Sequence, residues 1–302
     1  MTDDLARRTD QLKGVWNIVP TPFHPDEELD LASLRTLTDF VVSSGVDGMT
    51  ILGVLGEGAK VTDSERSAIV DLVLTHAAGR LPVCVTVSAA SAYRSIEYAR
   101  EARAKGAHSV MVSAPPLARP NDDAVRRNFL AVAESVPELP VVVQDLPALG
   151  VWMSPELISG LAREAPNLRV VKLEEEPTAP KVVRLLAANP ELRVLGGLGA
   201  EMLIEELRGG AVGTMTGFGY PETLVAIIRA WRAGDEQTAV EMFHRWTPLI
   251  RFENQQLLNL PIRKHIYMRR GAIASDKVRA PGPLLTERTK ADLDSLLARL
   301  GV

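Results

Sequence analysis

The chain is poor in cysteine, in charge of one sign and in long apolar runs, and each shortage closes off a class of protein. A single cysteine, Cys84, among 302 residues excludes an internal disulfide and a multi-cysteine metal site. It lies in Leu81-Pro-Val-Cys-Val-Thr-Val87 with no base beside it, the setting of a buried, inert thiol. Lys and Arg number 34 against 38 Asp and Glu. The two signs are interspersed, and no Lys/Arg cluster interleaves with aromatics, so nucleic acid is not an expected partner. The longest apolar runs, such as Leu81 to Ala90 and Pro140 to Gln144, are far too short to cross a bilayer, and no membrane association is expected. The segment Met1 to Arg8 is charged and lacks the apolar centre of an export signal, which makes the cytoplasm the expected location. No HExxH, nucleophile-elbow serine, Walker or dinucleotide fingerprint occurs. The 5 histidines are scattered singly, so neither a metal nor a cofactor is expected.

What the chain does have is a large apolar fraction, 46%, laid out as short β-branched runs alternating with amphipathic stretches. That pattern argues for parallel strands joined by helical crossovers. The strand candidates are Val15–Val19, Gly48–Leu52, Val83–Val87, Ser109–Val112, Val141–Gln144, Val170–Leu173, Arg193–Gly196 and Val212–Met215. Most are apolar on both faces, as strands between a filled lumen and an outer helical layer should be. Roughly eight such units at 20 to 35 residue spacing favour a (β/α)8 TIM barrel over an open doubly wound sheet. Glycine follows a helix and precedes a strand in Gly45-Val-Asp-Gly48, Gly106-Ala-His-Ser109 and Gly210-Ala-Val-Gly213, the signature of short helix-to-strand loops. The last crossover helices read as Ala200–Arg208 and Pro221–Arg232. Beyond them the alternation stops and Gln237–Ile250, Phe252–Arg269 and Thr286–Leu300 read as three further helices. The expected organisation is a barrel over residues 1–233 and C-terminal helices, 234–302, packed on it.

Barrel active sites form at the C-terminal ends of the strands, so polar residues that end apolar runs are the candidates. Lys172, in Leu168-Arg-Val-Val-Lys-Leu173, has apolar neighbours that disfavour its ammonium form, and a deprotonated amine there can attack a ketone. The alternative is a rim lysine paired with Glu174 or Glu176. Glu174, two residues on, shares Lys172's side of the strand by alternation. It is either a counter-ion or a general acid/base. Glu175 should face outward. Gln144 emerges from the apolar fifth run, to orient a substrate hydroxyl or water or to satisfy backbone at the rim. Two glycine-rich turns, Leu52-Gly-Val-Leu-Gly-Glu-Gly58 and Leu195-Gly-Gly-Leu-Gly199, are either structural or expose backbone N–H groups to a small anion such as a carboxylate. Arg119, Phe218 and Tyr220 line a pocket or simply pack.

These residues form a pattern that resembles the dihydrodipicolinate synthase and N-acetylneuraminate lyase family of class I aldolases over nearly the full length. The carrying features are Val19-Pro-Thr-Pro-Phe23, Gly53-Val-Leu-Gly-Glu57, Gln144-Asp-Leu-Pro147, Lys172, and Gly210-Ala-Val-Gly-Thr-Met-Thr216. The resemblance implies a homotetramer and a pyruvate-like moiety bound covalently through Lys172. It also implies a substrate pocket that includes Thr21, Gly53, Gly56, Gly197 and Met215.

Members that make dihydrodipicolinate or cleave sialic acid have tyrosine where this chain has Gln144. They have hydroxyl residues where it has Val54 and Leu55, a tyrosine in the loop after strand four, and an arginine soon after the strand-five proline. The pairing of Gln144 with Glu174 resembles instead the dehydratase branch that acts on 2-keto-3-deoxy sugar acids such as 2-keto-3-deoxyarabonate. A pyruvate-releasing aldolase and a catalytically silent metabolite-binding paralogue are the alternatives.

Overall fold

A computed structural model describes residues 2–116 and 121–302. Eight parallel strands close on themselves in sequence order: β1 (Gly14–Ile18), β2 (Gly48–Ile51), β3 (Val83–Thr86), β4 (Ser109–Ser113), β5 (Val141–Asp145), β6 (Val170–Leu173), β7 (Arg193–Gly196) and β8 (Gly213–Thr216). β1 pairs with both β2 and β8, so no strand is left as an edge. The fold is the expected (β/α)8 TIM barrel, with every strand within one residue of its expected limits.

The strands are legible because their even and odd positions face two different apolar environments. Inward, Trp16, Ile18, Cys84, Met111, Val142, Val170, Leu195 and Met215 fill the lumen together with Leu12. Outward, the alternate residues pack under the helices in a second, larger cluster. A closed parallel barrel needs both layers dry, which gives runs of Val, Ile and Leu.

Helices α2 (Leu31–Ser43), α3 (Asp63–Ala77), α4 (Ala92–Ala104), α5 (Asp122–Ser135), α6 (Pro155–Glu164), α7 (Thr178–Ala188), α8 (Leu203–Arg208) and α9 (Pro221–Arg232) follow the strands in turn. Thr62 and Glu65 form a reciprocal capping box at the start of α3, and Ser154 caps α6 ahead of Pro155. The glycines of the internal repeat do what that position requires: Gly45, Gly106 and Gly210 take φ of +74°, +88° and +102°. Side chains rarely adopt such angles, and glycine does so without steric cost.

Three departures from the sequence reading have local causes. The segment before β1, assigned no element, forms helix α1 (Asp3–Gln11), capped by Thr2 and with Asp3 and Asp4 in its first turn. Its buried Leu5 and Thr9 lead to Leu12, which closes the N-terminal end of the lumen against Trp16. The eighth helix starts at Leu203 rather than Ala200, since Ala200 sits in a turn with φ +65°. Helix α10 (Glu236–Glu253) carries on past Ile250, and α11 (Asn259–Arg269) starts well after Phe252. Between them the chain turns at Leu257, φ +68°, and Asn254 donates to the Leu198 carbonyl at 3.3 Å, which ties the turn to the loop after β7. Helix α12 (Glu287–Leu300) packs back on α10.

Candidate active site

β5 and β6 set Gln144 directly beside Lys172 in register. Both side chains face the lumen at its C-terminal end, and the two residues are only 2% and 6% exposed. The pairing continues one step past the strand, where the Glu174 N–H donates to the Asp145 carbonyl at 2.9 Å. Glu174 therefore keeps strand geometry and falls on Lys172's side, as alternation requires. Its Oε1 forms an ion pair with Lys172 Nζ and accepts a hydrogen bond of 3.1 Å from Gln144 Nε2. With both ionic side chains over 90% buried, this contact is far less screened than at a surface. Gly197 makes room for it: a Cβ there would sit 2.4 Å from Glu174 Cγ. The sequence brings Lys172, Glu174, Gln144 and Gly197 into one cluster.

The loop after β2 forms the facing wall. Gly53 opens onto the lumen above Ile18, Thr86 and Met111, each within 3.8 Å of the position a Cβ would take. Glu57 N–H donates to Val54 O and Gly58 N–H to Gly53 O, while the N–H groups of Leu55 and Gly56 take no acceptor among the described residues. Thr21 is buried and its hydroxyl donates to Gly56 O at 2.6 Å. Its proton is thus spent on holding the loop. Met215 lies one layer below, wholly buried in the apolar lumen beside Leu195 and Met111.

Sequence reasoning missed what holds this loop in place. Glu57 has φ +52° and a carboxylate that accepts from Lys264 Nζ at 2.6 Å, Lys60 Nζ at 2.9 Å and the Arg279 N–H at 3.0 Å. Lys264 is fully buried on α11, over the ring of Phe23, and burial pulls its pKa down to about 8. The pattern showed only one lysine among the arginines and histidine of a helix, 207 residues from its partner. It also missed Thr86, a 5% exposed inward residue beside Gly53 whose hydroxyl has no hydrogen-bond partner among the described residues.

Other candidates fall elsewhere. Phe218 is fully buried and packs with Tyr220 against Trp246. Arg119 lies outside the described residues. Burial pushes the Cys84 thiol up to about 12, consistent with an inert side chain. His76 pairs with Asp39 and His265 with Asp276, and among the described residues no group of three His, Cys, Asp or Glu is arranged to hold a metal. No described helix is long and apolar enough to cross a membrane.

Residues 11–300 match the dihydrodipicolinate synthetase family. The chain belongs to that family. It is 34% identical to L-2-keto-3-deoxyarabonate dehydratase of Azospirillum brasilense, over 97% of this chain and 96% of that protein. The crystal structure of dihydrodipicolinate synthase from Rhodopseudomonas palustris superposes with a TM-score of 0.91 at 33% identity, covering 96% of this chain and 98% of that one. YagE of Escherichia coli, named a putative 2-dehydro-3-deoxy-D-gluconate aldolase and solved with pyruvate, superposes with a TM-score of 0.90 at 28% identity, over 96% of this chain and 99% of that one. Family membership makes this chain a lyase of the aldolase and dehydratase kind.

Proposed function

We propose that this member is a Schiff-base hydro-lyase that dehydrates a 2-keto-3-deoxy sugar acid, of which 2-keto-3-deoxyarabonate is the leading candidate. The observation that carries the reading is the shared carboxylate: Glu174, its side chain over 90% buried, touches both Lys172 and Gln144 at the strand ends. The name and full-length match of the Azospirillum relative support the same branch.

The Lys172 amine attacks the C2 ketone, and loss of water leaves an iminium that acidifies C3. Glu174 takes a proton from C3 to give an enamine. The enamine expels the C4 hydroxyl, which leaves as water with the proton returned by Glu174, and water then hydrolyses the remaining iminium, restoring the C2 ketone and the free Lys172 amine. Because no aldol hydroxyl is deprotonated, a tyrosine at position 144 is dispensable, and Gln144 instead orients Glu174 and the departing hydroxyl. The unpaired N–H groups of Leu55 and Gly56 are donors for the substrate carboxylate, with Thr21 and Gly53 shaping their loop and Met215 closing the floor. Proton transfer of this kind contributes about 10²–10⁴ in rate.

Residues 1–233 supply this chemistry and 234–302 brace it. By family resemblance the protein assembles as a homotetramer, and the charged Met1 to Arg8 segment is in keeping with a cytoplasmic location. The rival reading, an aldolase that cleaves C3–C4 of a similar acid, draws support from the name of YagE.

Incubation with 2-keto-3-deoxyarabonate separates the two. A product that keeps the carbon skeleton and lacks one water supports dehydration, and pyruvate release, read with a coupled dehydrogenase, overturns it. Borohydride trapping across a panel of 2-keto acids with no adduct on Lys172 would leave only a silent, metabolite-binding protein.

A further inference from the structure

A second buried lysine stands directly behind the first. Lys181, on α7 and 1% exposed, lies outside the barrel wall with three oxygens around its Nζ: Asp145 Oδ2 at 2.6 Å, Glu175 Oε2 at 2.7 Å and the Met153 carbonyl at 2.6 Å. Asp145 and Glu175 are the residues that immediately follow Gln144 and Glu174. Successive residues of an extended chain point to opposite faces, so the pair gripped outside the wall is joined through one peptide unit each to the pair that faces the lumen.

We propose that Lys181 is a positioning residue for the active site, clamping Asp145 and Glu175 from outside so that Gln144 and Glu174 are aimed at Lys172 inside. The inference rests on the reading of Glu174 as the proton-transfer group.

Three features argue for a clamp over an incidental ion pair. The ladder's last bond, from the Glu174 N–H to the Asp145 carbonyl, sets the face on which Glu174 falls, but Glu175 lies beyond it, and among the described residues only its side-chain contact with Lys181 holds the chain there from outside. The Met153 carbonyl anchors the clamp to the segment entering α6, a third element. The desolvation cost of burying a lysine and an aspartate makes this a poor way to obtain stability alone, since apolar residues of similar volume commonly do as well. Misplacing a catalytic group by about 1 Å can cost on the order of a hundredfold in rate.

The test uses pyruvate, which forms the imine and exchanges C3 protons but carries no C4 hydroxyl. Two rates are read on the full-length protein: borohydride trapping on Lys172 by mass spectrometry, and deuterium exchange at the pyruvate methyl by NMR. For Lys181→Met that retains the wild-type circular dichroism, exchange should fall at least about 30-fold while trapping stays within about threefold. Glu175→Gln, whose side chain is partly exposed, should show the same split at about three- to tenfold.

A purely structural role lowers both rates together, and that result overturns the inference, as does exchange within twofold of wild type. If Lys181→Met does not fold, Glu175→Gln decides: unchanged exchange overturns the clamp. A wild type that traps no pyruvate overturns the Schiff-base reading and the clamp with it. A wild type that traps and exchanges while the folded variants behave like it overturns the clamp alone.

Discussion

The two ends of this barrel treat buried polar groups in opposite ways. At the C-terminal end three lysines, Lys172, Lys181 and Lys264, are 6%, 1% and 0% exposed, and each contacts at least one carboxylate. At the N-terminal end the lumen is stoppered by Leu12 and Trp16, and the titratable group beside them, His108, is held neutral: burial pushes its pKa down to about 4, with Arg8 and Arg7 adding to the effect. A charge costs several kcal/mol to bury even when paired, so a fold accumulates such charges where a reaction uses them or where they hold the groups that react. Among the three lysines the company differs in kind. Lys181 Nζ has three oxygens within 2.7 Å, from Asp145, Glu175 and Met153, whereas among the described residues Lys172 is ion-paired with Glu174 alone and faces the C-terminal end of the lumen.

If the contrast is functional, changes at the top should strike activity, with or without a loss of stability, and changes at the bottom should strike stability alone. The largest effect is expected for Lys172→Ala: no keto-acid adduct by mass spectrometry and turnover down by at least about 10⁴-fold, the scale on which removal of a covalent nucleophile acts. Glu174→Gln keeps the amine and removes the base, so adduct formation should persist while turnover falls by about 10²–10⁴. Adduct and turnover lost together in that variant would break the division of labour between the two residues.

Lys264→Met leaves Glu57 buried with only Lys60 and one backbone N–H, and urea unfolding should show a loss of about 3–5 kcal/mol. The same variant should bind pyruvate more weakly, because the loop carrying the Leu55 and Gly56 N–H groups loses its anchor. At the other end, Leu12→Ala removes a fully buried lumen stopper, with an expected cost of about 2–4 kcal/mol. The turnover of the folded fraction should not change.

The smallest effect is a pH dependence. Because the folded-state pKa of His108 lies near 4 and the unfolded value near 6.5, the unfolded chain takes up a proton first as pH falls. Its contribution to stability is fully present above pH 6.5 and is lost progressively down to about 4. His108→Gln should therefore lose less stability than wild type between pH 7 and pH 5, by on the order of 1–2 kcal/mol, read as the difference between their melting curves.

Legibility in the sequence followed the range of the interactions. The strands were readable since each is apolar on both faces and bounded by glycine, proline or capping residues, signals confined to a few neighbours. α1 was overlooked because its composition, DDLARRTDQ, is dominated by charge, and its two inward residues gain meaning only against the barrel floor. In the site, Lys172 and Glu174 were placed together by period-two alternation, and Gln144 by its emergence from an apolar run. Lys181, Lys264, Glu57 and Thr86 were not, as no local pattern distinguishes a buried lysine on a helix from a solvated one.

The sequence by itself thus determined the barrel, the face of each strand and the identity of the inward-pointing lysine, carboxylate and carboxamide, because periodicity fixes direction over a span of two to four residues. Only the tertiary structure decided how those groups are held. Closing the barrel brings β5 and β6 side by side and wraps α7 and α11 around the strand ends. There Lys181 meets Asp145 and Glu175 and Lys264 meets Glu57, contacts that exist only once the barrel has closed and the helices have packed around it.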